Sequence, residues 1–472
     1  MNDQRKMMFT KKEIFAIIIP LILQSILSVT IGMVDSMMVS NKGEEAFAGV
    51  SLVGSLDTVL ITLFSALTSG GSVVLAQAMG RGDRERACEA AKQLIYSASI
   101  VAASITAIVL TFRYPLLNLL FGDAEADVIK NAHEYFFFVA LSFPFLAMEN
   151  SVSATFRAQG DSMIALKISM FMNVVNIGGN AILIYGADLG AMGAAIATLI
   201  SRIIGAVIMI KIAHNGVRFI HYKNIFKYKP DFGIIKSILH IGVPNGIENS
   251  MFQFGRLMTS SLVSSLGTVS IVANAAALNL ANFQYNAGAA VQSTMVSVVG
   301  RCVGANEKDQ AKYYARYLLG ICYVIVFFVD LVMCIFSGPL LRLYDLSGAS
   351  FDLARNLLFY HSITSIFLWP AAFCLPPAFR AASDVKFTMY VSIFSMWVFR
   401  VALGYVLALE AVELFVINGS PLISIPGVGL GVFGVWFAMT VDWIFRTILF
   451  VWRYFSGKWL TKYKYKEQVN KA

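Results

Sequence analysis

One carboxylate, Asp35, lies within a long apolar stretch near the start of the chain. An ionisable group inside hydrocarbon costs several kcal/mol unless it is paired or hydrated, so it indicates function. Asn176 and Asn180 are four residues apart and share one face of a later helix, and Thr198 lies in the helix after that. A carboxylate, two amides and a hydroxyl all offer oxygen, which suits Na⁺ or a proton. The alternative is a hydrogen-bonded packing cluster.

Helical geometry predicts that these four residues share a depth range in the membrane. Asp35 lies roughly 33 Å from the inner end of the first predicted helix. Asn176 and Asn180 lie roughly 20 and 26 Å from the inner end of the fifth, and Thr198 roughly 14 Å from the outer end of the sixth. We therefore predict a cation-coupling site at these four residues, for Na⁺ or H⁺, and no cofactor beyond the coupling ion.

The second half of the chain predicts a different candidate site. Thr259 stands in the register of Asp35, so an acid must come from elsewhere, and Glu248 is the candidate. Three asparagines on the next helix recur at i, i+3 and i+7 and therefore share a face. The candidate residues of this second-lobe cavity are Glu248, Arg256, Asn279, Asn282 and Asn286. We favour a polar cavity wall. The alternatives are a ladder of hydrogen bonds between helices, and an ion pair in which Arg256 neutralises Glu248.

Two prolines occupy matching places in the two halves. Pro20 and Pro244 lie inside predicted helices, where each removes a backbone hydrogen bond and kinks the helix. Kinks at matching points beside a site predict hinges. A static kink is the alternative.

No pattern of reactive residues predicts an enzyme. The five cysteines have neither metal-ligand spacing nor an even number for disulfides. No phosphate-binding loop is present, which argues against ATP as the energy source. Four further acids in or near apolar stretches are expected to be structural: Asp57, Glu149, Asp330 and Asp442.

An internal repeat organises the chain. Residues 12–119 are echoed by residues 236–343 at a constant offset of 224, without a gap. Pro20 matches Pro244, and the segment from Ser36 to Gly43 reappears from Ser260 to Gly267. The repeat predicts one six-helix unit used twice in the same orientation, which is the plan of many secondary transporters.

Composition identifies an integral membrane protein. The chain is 57% hydrophobic and 14% charged, against about half and about a quarter in soluble proteins. It contains about twelve stretches long enough to cross a bilayer. We predict an all-α protein with twelve transmembrane helices in two six-helix lobes. The predicted regions are a first lobe at 1–213, a cytoplasmic linker at 214–235, a second lobe at 236–456 and a basic cytoplasmic tail at 457–472. An insertion of unassigned purpose lies near 410–427.

The net charge of +9 follows membrane topology and does not indicate a nucleic-acid partner. Lysine and arginine concentrate in alternate loops, including residues 80–92, 211–236 and 453–472. By the positive-inside rule these loops, and both termini, face the cytoplasm. The expected partners are small organic substrates and the lipid bilayer of the plasma membrane, and we expect a monomer.

In its motifs the chain resembles the multidrug and toxic compound extrusion (MATE) family. The segments that carry the resemblance, in order, are VDSMMVS from Val34, GRGDRERA from Gly80, FRAQGD from Phe156, LGAMGAA from Leu189 and PNGIENSMFQFGR from Pro244. The resemblance implies two lobes forming a V around a central cavity, with substrate leaving as Na⁺ or H⁺ enters. It also implies a cation site at Asp35, Asn176 and Thr198, a bend at Pro20, and a departure at Asn180, where family members often have Asp.

These observations predict a secondary active multidrug efflux transporter. It exports amphipathic or cationic organic molecules by H⁺ or Na⁺ antiport, through alternating access between the two lobes. The alternative is a lipid-linked saccharide flippase of the same superfamily architecture, which would need a cationic cavity. Arg256 and Arg400 are the deep basic residues available to such a cavity, and so small a number disfavours the flippase.

Overall fold

The computed structural model of the chain is almost entirely helical. It describes residues 7–463 except 122–124, 215–217, 223–228, 345, 347 and 418–419. The helices are α1 (Lys11–Ser40), α2 (Glu44–Gly80), α3 (Arg84–Thr111), α4 (Arg113–Phe121), α5 (Ala126–Ala158), α6 (Ser162–Asn180), α7 (Gly190–Ala213), α8 (Phe232–Ser264), α9 (Thr268–Gly304), α10 (Lys308–Ile335), α11 (Ser337–Arg342), α12 (Gly348–Ala381), α13 (Val385–Ser395), α14 (Leu403–Ala408) and α15 (Val432–Phe455). π-helical turns follow α6 at Ala181–Gly186 and α13 at Met396–Ala402, and a 3₁₀ helix lies at Lys458–Thr461.

The predicted integral-membrane, all-α fold class is confirmed. Within the described part of the chain, 10 helical segments are long and apolar enough to cross a membrane. α8 and α9 are longer than most of these, at 33 and 37 residues, but fall outside that group. The reason is their content of asparagine, glutamine and charged side chains, which lowers mean hydropathy. These two helices carry the polar residues that the sequence assigned to the second candidate site.

The repeat extends to the conformation of individual turns. Gly82 has φ +71° and Asn306, its counterpart 224 residues later, has φ +60°. Gly160 has φ +82° and its counterpart Ser383 has φ +66°. A left-handed backbone costs residues other than glycine roughly 1–2 kcal/mol. The second half therefore keeps the same left-handed turns even at positions where another residue replaces glycine, which adopts this backbone at little cost in free energy.

Two compact units divide the chain. The first comprises Met1–Gly246 with Gly300–Glu307, and the second comprises Ile247–Val299 with Lys308–Ala472. The division falls inside α8, and not in the segment 214–235 that the sequence predicts as a linker. Close backbone packing explains why the start of α8 belongs to the first unit: a Cβ on Gly70 of α2 would lie 2.4 Å from the carbonyl oxygen of Ile238. The predicted lobe boundaries stay a prediction.

The ends of α2 and α9 meet within the first unit at a pair of glycines related by the repeat. A Cβ on Gly80 would lie 1.9 Å from the carbonyl oxygen of Arg301, and a Cβ on Gly304 would lie 2.1 Å from that of Gln77. Real Cβ atoms essentially never approach another heavy atom within 3.0 Å. Glycine at both positions is therefore required for this crossing.

Pro20 and Pro244 each lie inside a continuous helix, α1 and α8. Neither proline ends its helix, and the predicted hinge role stays a prediction.

The insertion near 410–427 forms a β-hairpin. Strand β1 (Ala411–Ile417) pairs antiparallel with β2 (Ser420–Pro426). Residues 464–472 of the predicted tail, and residues 215–217 and 223–228 of the predicted linker, lie outside the described residues.

Candidate cation and substrate sites

The C-terminal ends of α1 and α6 and the N-terminal half of α7 position the first candidate site. One turn beyond Asp35, Val39 packs in a buried apolar cluster with Ile184 and with Ala191 and Ala194 of α7. α6 and its π-helical turn approach α7 closely, because a Cβ on Gly193 would lie 2.9 Å from the backbone of Leu183. This packing holds the amides of α6 beside the hydroxyl of α7.

Asp35 accepts a hydrogen bond from Asn180 across these helices. The Asn180 amide nitrogen lies 2.7 Å from Asp35 Oδ1. Asn180 is 1% exposed and Asn176 is 6% exposed, so both amides are removed from solvent. Thr198 Oγ1 lies 3.3 Å from the Asn176 amide and donates to the carbonyl of Ala194 at 3.0 Å. The structure thus brings together all four residues that the sequence predicts, while their role in coupling stays a prediction.

The orientation of the Asn176 amide decides what Asp35 faces. In one orientation its nitrogen points to Thr198 and its oxygen faces the carboxylate of Asp35, so that two acceptors meet. Rotated, its nitrogen lies 2.9 and 3.2 Å from the two oxygens of Asp35, and its oxygen accepts from Thr198 at 3.3 Å. Amide orientation is assigned from hydrogen bonding, and the rotated form satisfies both ends.

The same side chains fit a hard cation when the amides turn. With both amide oxygens directed at the carboxylate, Asp35, Asn176, Asn180 and Thr198 present oxygen, the ligand that hard cations prefer. The Asn180 oxygen is buried and has no hydrogen-bond partner in the described part of the chain. An orphaned buried acceptor is costly unless something binds it. The donor set is therefore chemically suited to Na⁺, and the single carboxylate is equally able to take a proton.

A polar contact ties the C-terminal end of α1 to the segment that follows α6. Lys42 Nζ lies 2.6 Å from Asp188 Oδ1, and Tyr185 donates to the carbonyl of Met38 at 3.0 Å. The hydrogen bond from Lys42 lowers the pKa of Asp188 below its usual value. Both charges are solvent-accessible, so this pair contributes little stability. The ion pair fixes the loop that follows α1, next to the candidate cation site, against the segment that follows the π-helical turn.

A half-buried ion pair joins α2 and α7 in the first unit and was not predicted as a pair. Arg202 Nη2 of α7 lies 3.8 Å from Asp57 Oδ2 of α2, and Arg202 Nη1 donates to Ser142 Oγ at 2.6 Å. Tyr135 packs against the same apolar cluster as Val39. Helix geometry could have indicated this pair, because Asp57 and Arg202 lie roughly 20 and 18 Å from the N-terminal ends of α2 and α7. We assign this pair a structural role.

Glu248 in the second unit faces Arg380 instead of Arg256. Arg380 Nη1 lies 3.5 Å from Glu248 Oε2. The two line a cavity of about 160 Å³ together with Asn249, Gln292 and Arg446. The predicted alternative, an ion pair between Glu248 and Arg256, is wrong. Eight residues on one helix separate the two by roughly 12 Å along its axis and about 80° around it.

A second cavity of about 280 Å³ lies beside the first and shares part of its wall. Arg256, Asn282 and Asn286 line it, as predicted for a polar wall, but Glu248 is not among its lining residues. Asn279 is exposed and is not among the residues that line this cavity, and its predicted role stays a prediction. Aromatic side chains, which the sequence did not assign here, complete the wall: Phe252, Tyr285, Trp369, Phe373 and Trp443.

The remaining buried acids of the second unit are held by structural partners. Asp442 is fully buried and accepts from Arg446 Nε at 2.7 Å. Asp330 is 1% exposed and accepts from Ser365. In the register of Asp35, Thr259 donates to the carbonyl of Arg256 at 2.9 Å. The carboxylate-and-amide arrangement of the first unit is therefore not repeated at that register in the second.

A repeated helical membrane fold with a polar site between its helices defines the class of multi-pass membrane transporters. The family comparison then specifies the chain. The MatE family model matches residues 20–182 and 244–406, one copy in each half. The chain belongs to the MatE family.

Relatives and solved structures agree over almost the full length. "Probable multidrug resistance protein NorM" of Thermotoga maritima is 24% identical over 97% of this chain and 96% of its own. "Probable multidrug resistance protein YoeA" of Bacillus subtilis is 24% identical over 92% of this chain and 93% of its own. An outward-facing MATE family transporter of the MOP superfamily superposes with a TM-score of 0.84 at 20% identity, covering 96% of each chain. At that identity the structural match establishes the fold alone.

Proposed function

We propose that this protein exports amphipathic organic molecules from the cytoplasm across the plasma membrane in exchange for H⁺ or Na⁺. The observation that carries the proposal is the carboxylate of Asp35, which lies 2.7 Å from the amide nitrogen of the buried Asn180 where α1 meets α6. The names of the relatives, which describe multidrug resistance proteins, support the class of substrate. They do not favour the lipid-linked saccharide flippase.

The charge pattern supports the direction of transport. Basic loops and both termini are assigned to the cytoplasm by the positive-inside rule. With that orientation Asp35 lies near the outer end of α1, five residues before Ser40. An ion arriving from outside therefore reaches Asp35 after passing only a short length of protein, as an inward coupling gradient requires.

A single carboxylate is energetically sufficient for coupling. One proton that moves down about 100 mV and one pH unit releases roughly 2.3 and 1.4 kcal/mol. The total corresponds to a substrate gradient on the order of several hundred-fold. In the proposal, alternating access between two lobes links this ion to substrate release, with Pro20 and Pro244 as hinges.

The choice between Na⁺ and H⁺ depends on how the amides turn. Without a cation, both amides can donate to the ionised carboxylate. Na⁺ would bind Asp35 with the amide oxygens turned inward, while a proton would need only one acceptor among them. Asn180 supplies no second negative charge, so both ions remain chemically competent.

Transport in proteoliposomes tests the proposal. Purified protein is reconstituted into lipid vesicles, and the vesicles are loaded with a fluorescent organic substrate. Na⁺ and pH gradients are then imposed separately across the vesicle membrane. We expect one gradient, or both, to accelerate substrate movement against its own gradient. Equal transport with both gradients collapsed would point to another energy source. Lipid scrambling without drug transport would instead support the flippase.

A further inference from the structure

The large cavity of the second unit has an excess of positive charge. Arg256 and Arg400 line it, and no aspartate or glutamate is among its lining residues. The adjoining 160 Å³ cavity adds Arg380 and Arg446, with Glu248 as its acid. Glu248 faces Arg380, and Asp442 lies behind Arg446. The guanidinium groups of Arg256 and Arg400 are therefore left without a full counter-charge.

Arg256 is the more available of the two. Among the residues that the structure describes, no carboxylate lies within 4.0 Å of it, and the side chain is exposed. It lies eight residues before the end of α8, which is roughly 12 Å along the helix. An unpaired arginine at membrane depth faces a water-filled path or a ligand, because lipid contact is too costly.

Arg400 lines the same cavity from a segment with π-helical backbone geometry. It lies in the π-helical turn Met396–Ala402, and its side chain is 11% exposed. Its nearest acid, Asp442, is 3.9 Å away and already accepts from Arg446 at 2.7 Å. π-helical turns occur frequently at functional sites. The guanidinium of Arg400 is thus only partly neutralised.

Three stacked aromatic rings line the same cavity. Trp369 stacks on Tyr285 at a centroid distance of 6.0 Å and on Phe373 at 5.2 Å. Gly288 makes room for this arrangement, since a Cβ there would lie 2.1 Å from the Trp369 ring. The cavity thus combines guanidinium groups with aromatic rings.

We propose that this cavity binds the anionic group of an amphipathic aromatic molecule, with a carboxylate, sulfonate or phosphate at Arg256 and Arg400 and the ring among the aromatic side chains that line the cavity. Charge-assisted bonds from guanidinium to such a group are strong and can be bidentate. Binding of this ligand needs no ion gradient and is independent of the proposed export function. Only the statement that the bound ligand is then exported rests on that function. It replaces the cationic substrate preference that the sequence predicted.

A matched pair of probes tests the sign of the charge. The probes are 4-nitrobenzenesulfonate and (4-nitrobenzyl)trimethylammonium, which carry the same quenching ring and opposite charges. Their affinities are measured for the full chain in phosphatidylcholine nanodiscs by quenching of tryptophan fluorescence. We expect the sulfonate to bind at least about tenfold more tightly. Equal binding, or tighter binding of the ammonium probe, would overturn the proposal.

Variants locate the effect within the cavity. Arg256→Gln and Arg400→Gln should each weaken sulfonate binding by about tenfold to a hundredfold and leave the ammonium probe no weaker. Arg355→Gln is the matched control, because Arg355 is exposed and lies over Phe359, outside this lining. Arg256→Gln keeps the test decisive if Arg400→Gln unfolds. An unchanged ratio of the two probes in Arg256→Gln would refute the assignment.

Anionic lipid headgroups carry the same kind of anionic group as the proposed ligand. A change of the nanodisc lipid distinguishes these headgroups from a soluble aromatic anion. Sulfonate affinity is compared in nanodiscs of phosphatidylcholine and of phosphatidylglycerol. Similar affinity in both supports a soluble aromatic anion as the ligand. Competition by phosphatidylglycerol that disappears in Arg256→Gln would assign the site to lipid and overturn the proposal. Because no gradient is applied, failure here leaves the ion-coupled export proposal standing, and failure of coupling leaves this assignment standing.

Discussion

Replacing Asn180 with aspartate should convert the candidate site into a stronger Na⁺ site. In the structure, the Asn180 amide nitrogen lies 2.7 Å from Asp35 Oδ1, so Asn180→Asp would place a second carboxylate at that distance. A Na⁺ ion about 4 Å from the added charge would gain roughly 4 kcal/mol at an effective dielectric of 20. Desolvation of the new carboxylate offsets part of this gain. A net gain of about 1.4–2.8 kcal/mol corresponds to roughly ten- to a hundredfold tighter Na⁺ binding.

Binding of radioactive sodium to the purified protein measures this change directly. Wild type and Asn180→Asp are titrated with Na⁺ against a choline background, and monodispersity is checked for each. Asn282→Asp is the matched control, since it adds the same charge at an asparagine of the second unit's cavity. If Asn180→Asp binds Na⁺ no more tightly than wild type while folding normally, the assignment of Asn180 to the cation site is refuted.

Two further predictions concern packing and turns. Gly80→Ala would place a Cβ 1.9 Å from the carbonyl oxygen of Arg301, so α2 and α9 must separate there by roughly 1 Å, and we expect a loss of about 1–3 kcal/mol in thermal unfolding. Gly320→Ala is its control: that helical glycine has no heavy atom within 4 Å of a new Cβ, and stability should hold or rise by up to about 1 kcal/mol. Asn306 has φ +60°, so Asn306→Gly should preserve stability while Asn306→Ala lowers it by about 1 kcal/mol. A lower unfolding temperature for Asn306→Gly than for Asn306→Ala would contradict this reasoning.

Much of the fold was predictable because membrane architecture leaves strong periodic signals. Long apolar stretches and a gap-free repeat are sufficient to define helices and two related halves. The same repeat explains why Asn306 and Ser383 adopt left-handed turns that their side chains do not favour. The β-hairpin near residues 410–427 had no such signal, because it lies within an insertion that the repeat does not contain.

The two candidate sites differ in how far the sequence could define them. Asp35, Asn176 and Thr198 were predictable because depth along each helix, together with the family resemblance, placed them in one range. Glu248 was not assigned its partner, because Arg380 lies 132 residues away on α12 and nothing local links the two. The aromatic wall around Trp369 likewise comes from separate helices, and helical spacing alone could not distinguish it from ordinary packing.

The most direct test of the account is ion-driven transport by Asp35→Asn. The variant is reconstituted beside wild type and assayed under separate Na⁺ and pH gradients, with folding checked by thermal unfolding. We predict that no gradient accelerates transport by Asp35→Asn, because asparagine neither carries the charge that attracts a cation nor exchanges a proton. Gradient-driven transport at the wild-type rate by a folded Asp35→Asn protein would contradict the central claim that this carboxylate couples ion entry to export.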